Sequence, residues 1–418
     1  MSSVSSRVAA TFLASFLVVG CADQNRLAEP RASRVPVDAS RSATEAATPP
    51  TSVRWNEIAR SLVASHNTNG PLASRVYALV SMAQLQAVAT VRNDGDDGDN
   101  DLRALPRPST RAAIAKASSV VLGNLFADAT TATLLATQLA LDEAPQAGHE
   151  RDVALGDSIG NAAGLTVNAR AGTDGAAAAN CPATPPLPPS QFWHDDAVPP
   201  NPQPVLPCFG QVRTWLGLDV TRFRTHPAPP PAFGSVAFLA GLAEVRQISD
   251  TRTPEQLAIV DHWLDGNNTQ QPPGHWNAIA SDLITQHRLS DARAAFVLAT
   301  LNVAMMDTHV ACWDRKYAYW EIRPWMVDPA ITTPRGQPHH PANPSGHACA
   351  GGAGSGTLAG LFPAEHDSLL AMGAEQGFST VLSGVHYRFD VDAGLTIGRS
   401  IARKTLRFRH RDELLALL

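Results

Sequence analysis

Beyond its first twenty residues the chain has no stretch of 18 uninterrupted apolar residues, so no membrane-spanning helix is legible there. It has no surplus of basic residues either. Its 33 Lys and Arg against 38 Asp and Glu give a net charge of -5, which excludes the basic face of a nucleic-acid binder. Five cysteines form no Cys-x2-Cys pair, which argues against a zinc ribbon or finger. Alternating runs of β-branched residues are few and alanine is abundant, a balance that favours helices over sheets. No internal repeat stands out. What remains is ample: 418 residues, 44% of them hydrophobic, suffice for one large domain or two fused ones.

Three short stretches in the last third carry most of the chemistry. They are Lys316-Tyr-Ala-Tyr-Trp-Glu-Ile-Arg323-Pro324, then Pro344-Ser345-Gly346-His347, then His386-Tyr-Arg-Phe-Asp390. Lys316 and Arg323 lie about two helical turns apart, so on one helix they would share a face. Arginine offers a planar fork for two oxygens and lysine a point charge for a third. Gly346 lets backbone approach an anion and Ser345 offers a hydroxyl. The small, apolar run that follows predicts a helix starting there, whose N-terminal amides would face the same anion. His386 and Asp390 are four apart, so on a helix the carboxylate would hold one ring nitrogen and leave the other basic. Alone, a Lys-x6-Arg pair is usually a solvated face and a His-x3-Asp pair a surface contact. Their ordered occurrence around Pro-Ser-Gly-His points to a site for a tetrahedral oxyanion, suited to phosphoryl transfer or to holding vanadate.

These motifs resemble those of the superfamily of type 2 phosphatidic acid phosphatases and vanadium haloperoxidases. Its pattern is Lys-x6-Arg-Pro, Pro-Ser-Gly-His, then Ser-Arg-x5-His-x3-Asp. The first two match in full. The third matches at Ser379, His386 and Asp390, but Thr380 stands where the family has arginine. Weaker likeness to bacterial haloperoxidase-like proteins includes Val53-Arg-Trp-Asn-Glu-Ile and Pro272-Pro-Gly-His-Trp-Asn277. The resemblance implies that Lys316, Arg323, Ser345 and the Gly346 amide bind the oxyanion. In a phosphatase, His386 would attack phosphorus, Asp390 would orient it and His347 would protonate the leaving oxygen. In a haloperoxidase, His386 would be the axial ligand of vanadate and His347 would handle the peroxide proton. His340, seven residues before His347, falls where chloride-oxidising members carry an aromatic and bromide-oxidising ones a histidine; it is a candidate for halide or substrate tuning. Arg388 is near enough in sequence to be considered for the missing arginine's place, but on a helix it would point away from His386.

The N-terminus reads as an export signal, residues 1–21. Arg7 precedes the apolar run Val8 to Val19, too short for a stable anchor, and Leu17-Val-Val-Gly20-Cys21 resembles a bacterial lipobox with Cys21 as the acylated residue. The expectation is a periplasmic or cell-surface lipoprotein, held to the membrane by its lipid and aligned with the soluble members of the superfamily. Four cysteines remain. Cys181 and Cys208 bracket the Pro182 to Pro207 stretch, where a disulfide would staple a segment with little core of its own. Cys312 and Cys349 flank two motifs, as a second bridge or as two buried thiols.

Residues 22–50 read as a disordered tether, 51–231 as an N-terminal helical region with a Pro-rich loop from 171, and 232–418 as the catalytic bundle. Helical periodicity starts at Trp55, Ile58 and Leu62, resumes at Leu72, Val76, Leu79 and Met82, and breaks at the acidic loop 94–101. That loop lacks the glutamate and spacing of a calcium-binding EF-hand and reads as a solvated turn. Further helices are expected over 109–126, 128–143, 147–170, 235–247, 254–265, 275–287, 291–319, 346–361, 364–382 and 387–409. His275, Trp276, Asp307 and His309 read as packing residues. The expected fold is all-α, two packed helical bundles as in the vanadium haloperoxidases. The expected function is a vanadate-dependent haloperoxidase-like enzyme acting on halide and hydrogen peroxide. The alternatives are an acid phosphatase using the same residues without vanadate, and an oxyanion-binding lipoprotein weakened at Thr380.

Overall fold

Helix-start chemistry recurs along the chain, and the structure, a computed structural model, follows it. The structure describes residues 49–93, 108–144, 149–196, 203–408 and 410–418. The leader with Cys21, most of the 22–50 tether and the acidic loop 94–101 lie outside them. Ser109, Asp128, Ser235, Thr253, Ser290 and Ser345 each accept a hydrogen bond from the backbone amide three residues on. Each such cap is worth about 1 kcal/mol.

The N-terminal half contains α1 (Thr51–Ser65), α2 (Gly70–Asn93), α3 (Thr110–Leu125), α4 (Ala129–Glu143) and α5 (Glu150–Ala171). After a long irregular stretch come α6 (Val236–Thr251), α7 (Pro254–His262), α8 (Gln271–Gln286) and α9 (Asp291–Tyr319). The C-terminal bundle adds α10 (Pro324–Val327), α11 (Gly346–Leu361), α12 (His366–Leu382), α13 (Arg388–Thr405) and α14 (Arg411–Leu415). Among the described residues there is no strand, only the single bridge between Phe192 and Glu321. The all-α expectation and most helix positions hold. Helix α8 starts four residues earlier than expected, because Pro272 and Pro273 sit in its first turn, where proline gives up no intrahelical bond.

Helix α9 joins the halves. It is long and apolar enough to cross a membrane, yet that stretch is wholly buried inside the protein. Phe296, Ala299, Val303, Met306 and Val310 close the core formed by α2, α3 and α5. Val297, Leu298, Leu301 and Met305 enter a second core with Trp276 and Ile284 of α8 and Ala350 and Ala353 of α11. Each large side chain so buried contributes about 1.5–3 kcal/mol.

Small residues bring α11 and α13 backbone to backbone. A Cβ at Gly398 would stand 2.5 Å from the Cys349 carbonyl oxygen, and one at Gly394 would stand 2.7 Å from that of Ser345. The second contact sets the start of α11 directly against α13. The Pro-rich stretch is held from outside itself. A disulfide joins Cys181 to Cys208, Asp307 of α9 accepts the amides of Trp215 (2.7 Å) and Leu216 (2.9 Å), and Phe209, Trp215 and Phe223 are buried.

Candidate oxyanion site

Helix α9 ends before Arg323, which corrects the shared-face expectation for Lys316 and Arg323. Trp320 adopts a left-handed conformation at φ 50°, and the chain turns so that Arg323 sits in extended backbone ahead of α10. The two cations nevertheless reach the same neighbourhood. Lys316 donates to the carbonyls of Pro341 (2.8 Å), Ala342 (2.9 Å) and Pro344, so all three of its N–H groups hold the loop that leads into Ser345. Arg323 donates from Nε and Nη2 to the His340 carbonyl, from Nη2 to His340 Nδ1 (3.0 Å), and from Nη1 to the Val385 carbonyl and His386 Nε2 (2.9 Å).

His386 lies just before α13, not on it, and Asp390 is in that helix's first turn. Their contact survives this change: Asp390 Oδ2 accepts from His386 Nδ1 at 3.0 Å and from the Tyr387 amide at 3.1 Å. Asp390 also accepts from Asn343 Nδ2 at 2.9 Å, and its carbonyl accepts the Ser345 amide at 3.0 Å. The second and third motifs are thereby locked together. Ser345 caps α11, and Gly346 opens it with its Cα face 3.6 Å (measured from an added Cβ) from the Trp313 ring. The first-turn amides of α11 have no intrahelical partner and present the positive end of the helix.

Lys316, Arg323 and Asp390 are fully buried and His386 is 2% exposed. Burial works against every charged form here. It pushes the Lys316 ammonium down, helped by Arg323, and pushes the Asp390 carboxyl up against the bonds from Asn343 and Tyr387. His386 and His340 are held well below the ordinary histidine value by burial and by the two cations, so both imidazoles are neutral. Glu321 is pushed up to about 9, so it supplies no negative charge at neutral pH. Arg315 and Arg323 are thus buried cations close to the Asp390 carboxylate, and Lys316, lowered to about 7, joins them as a cation only when protonated. Buried charge of one sign is costly without a counter-charge, and an oxyanion would provide it.

The remaining residues sort clearly. His340 packs on Trp313 with ring centroids 5.3 Å apart and bonds Arg323, inside the cluster. His347 is half-buried, and its Nε2 is 3.1 Å from the Leu264 carbonyl. Thr380 sits beside Ser345, hydroxyl to hydroxyl at 3.3 Å, so the position that departs from the motif does face the cluster. Arg388 bonds Glu244 and stacks over Phe378, 4.7 Å from its ring centre, and does not replace the missing arginine. Cys312 and Cys349 are buried free thiols, so the alternative of a second bridge falls. His275 pairs with Asp265 at 3.0 Å and stacks on Trp263, while Asp307 and His309 serve the core.

Sequence reasoning missed Asn343 and Arg315. Each is adjacent to a motif residue, and that adjacency was the available signal. It also missed the Leu264–Asp265 segment against His347, which nothing local in sequence marks.

Residues 286–413 match the family model described as PAP2 superfamily. The structure is similar to that of the first bacterial vanadium-dependent iodoperoxidase, with TM-score 0.71 and 22% identity over 88% of this chain and 98% of that one. It is also similar to a bacterial vanadium-dependent chloroperoxidase. The holo form gives TM-score 0.64 at 15% identity, covering 84% and 94% of the two chains; the apo form gives 0.62 at 14%, covering 82% and 94%. No curated protein matches the sequence.

Proposed function

We propose that this chain, a member of the PAP2 and vanadium haloperoxidase-like superfamily, is an exported oxyanion-site enzyme that oxidises halide with hydrogen peroxide using bound vanadate. The observation that carries the reading is the surplus of buried cations around a neutral imidazole, His386, whose Nε2 faces them. Fold likeness to haloperoxidases across both halves supports this over the other activities of the superfamily.

The donor set fits vanadate. Lys316 and Arg323 would offset its charge, Ser345 would donate its hydroxyl, the Gly346 amide would donate from the start of α11, and His386 would bind through Nε2. When bound, vanadate would polarise hydrogen peroxide for attack by halide without changing its own oxidation state. Asp390 holds the His386 Nδ1 proton and so keeps Nε2 unprotonated. His347, facing the Leu264 carbonyl at the rim, would move the peroxide proton. His340 would tune which halide is accepted, through its contacts with Trp313 and Arg323.

The family-model match over the three motifs favours a second reading, a phosphomonoesterase. There His386 Nε2 would attack phosphorus, and His347 would protonate the departing oxygen. A third reading, an oxyanion-binding lipoprotein with little catalysis, draws on Thr380 and on the self-bonded state of Lys316 and Arg323. Purified protein assayed with and without orthovanadate, for bromide or iodide oxidation and for p-nitrophenyl phosphate hydrolysis, separates them. Vanadate-dependent halide oxidation supports the first; phosphate release inhibited by vanadate would replace it with the second; anion binding with neither activity leaves the third.

A further inference from the structure

Four buried groups run in line behind His386. Arg315 Nε is 2.8 Å from Asn343 Oδ1, Asn343 Nδ2 is 2.9 Å from Asp390 Oδ1, and Asp390 Oδ2 is 3.0 Å from His386 Nδ1. All four are at most 2% exposed. At the far side of the imidazole, Nε2 meets Arg323 Nη1 at 2.9 Å.

The direction of every bond in this line is fixed from its ends. A guanidinium only donates, so Asn343 must present its carbonyl to Arg315 and therefore its NH2 to Asp390. The carboxylate then accepts on Oδ1 and turns Oδ2 to His386. Arg323, also only a donor, requires a lone pair on Nε2, which leaves the ring's single proton on Nδ1. Arg315 is itself immobilised by the carbonyls of Phe223 (2.7 Å), Pro227 (2.9 Å) and Ala228 (2.8 Å). A planar fork anchored at three points orients the amide without the rotamer freedom a lysine would bring.

We infer that Asn343 and Arg315 are positioning residues that aim Asp390 and so act with Arg323 to set the tautomer of His386, keeping its proton on Nδ1 and its Nε2 unprotonated on the oxyanion side. Neither touches the oxyanion; they act through Asp390. The inference rests on the proposed reading of Nε2 as the oxyanion-facing atom, but the tautomer can be measured without any turnover.

Long-range proton–nitrogen correlation spectra of the full protein labelled with 15N-histidine report which ring nitrogen carries the proton, and the His386 signals are assigned by their loss in His386→Gln. The wild type is expected to show a protonated Nδ1 and an unprotonated Nε2. Asn343→Asp keeps the side-chain shape and the acceptor for Arg315, but sets an oxygen against Asp390 in place of a donor. The expected result is loss of the exclusive Nδ1–H signature, with orthovanadate or inorganic phosphate affinity falling about tenfold, the size of one charge-assisted hydrogen bond. Asn343→Ala, which leaves a gap instead of a repulsion, gives the same readout if the first variant does not fold. A wild type protonated on Nε2 would overturn the inference at once, as would either folded variant keeping the wild-type signature. A wild type with Nδ1–H but neither enzymatic activity would remove the proposed function and leave this inference standing.

Discussion

Arg323 Nη1 donates to His386 Nε2 at 2.9 Å, so the forked cation and the imidazole of the site are joined directly. An incoming anion must take over part of that bonding, and the two nitrogens are already spaced to share one guest. Arg323→Lys keeps the charge but loses the fork, since the three donors of an ammonium cannot span His340, Val385, His386 and an anion as the five of a planar guanidinium can. The expected outcome is orthovanadate or phosphate binding weakened about ten- to a hundredfold by calorimetry, equivalent to about 1.5–3 kcal/mol. Unchanged affinity would remove Arg323 from the binding set.

Thr380 gives the opposite experiment. Its hydroxyl lies 3.3 Å from that of Ser345, so a long side chain there would enter the cation cluster. Thr380→Arg should tighten orthovanadate or phosphate binding by at least about tenfold, roughly 1.4 kcal/mol, at matched pH and salt. Its folding stability should fall, because the position is packed. Equal affinities for both proteins would show that an arginine at this position adds nothing to anion binding.

Glu321 predicts a pH dependence of stability. Burial holds its carboxyl up at about 9, against 4.5 in an unfolded chain. Between those values the native state keeps a proton that the unfolded state releases. Its contribution is fully present below about pH 4.5 and is lost as pH rises toward about 9. Lys316, lowered to about 7 from 10.5, acts in the opposite sense only above about pH 7. Across pH 5 to 7, the stability of Glu321→Gln by chemical denaturation should therefore gain on that of the wild type as pH rises, by up to about 1.4 kcal/mol per pH unit, whatever slope the other buried groups impose on both. Parallel profiles for the two proteins would contradict a neutral Glu321.

Export supplies a fourth prediction. Replacing Cys21 with serine should shift the protein from the membrane to a soluble fraction. If fractionation stays the same, lipidation at Cys21 loses its support.

The helices were legible because their starts are marked by capping side chains and their lengths by periodicity. Ser290 and Ser345 opened α9 and α11 where expected, and both helices end where expected. That Arg323, His340, His386 and Asp390 lie together was legible too, since the motifs placed them in order. The site's geometry was not. Spacing of seven suggested that Lys316 and Arg323 share a helix, whereas the left-handed Trp320 ends α9 between them. No sequence pattern marks a single left-handed residue that is not glycine. Nor did spacing show that Lys316 spends all its donors on the Pro341–Pro344 carbonyls, because backbone acceptors carry no sequence signature.

The burial of α9 on every side bears on modularity. One stripe of that helix completes the N-terminal core, another the C-terminal core, and its last turn delivers Arg315 and Lys316 to the site. A fragment beginning at 232 would carry α9 with Phe296, Val303, Met306 and Val310 stripped of their partners in α2, α3 and α5. Such an apolar face in water invites aggregation. The N-terminal helices are thus a condition for the C-terminal half to stay folded without exposing that face, and the two halves can be exchanged between relatives only together with the helix that belongs to both.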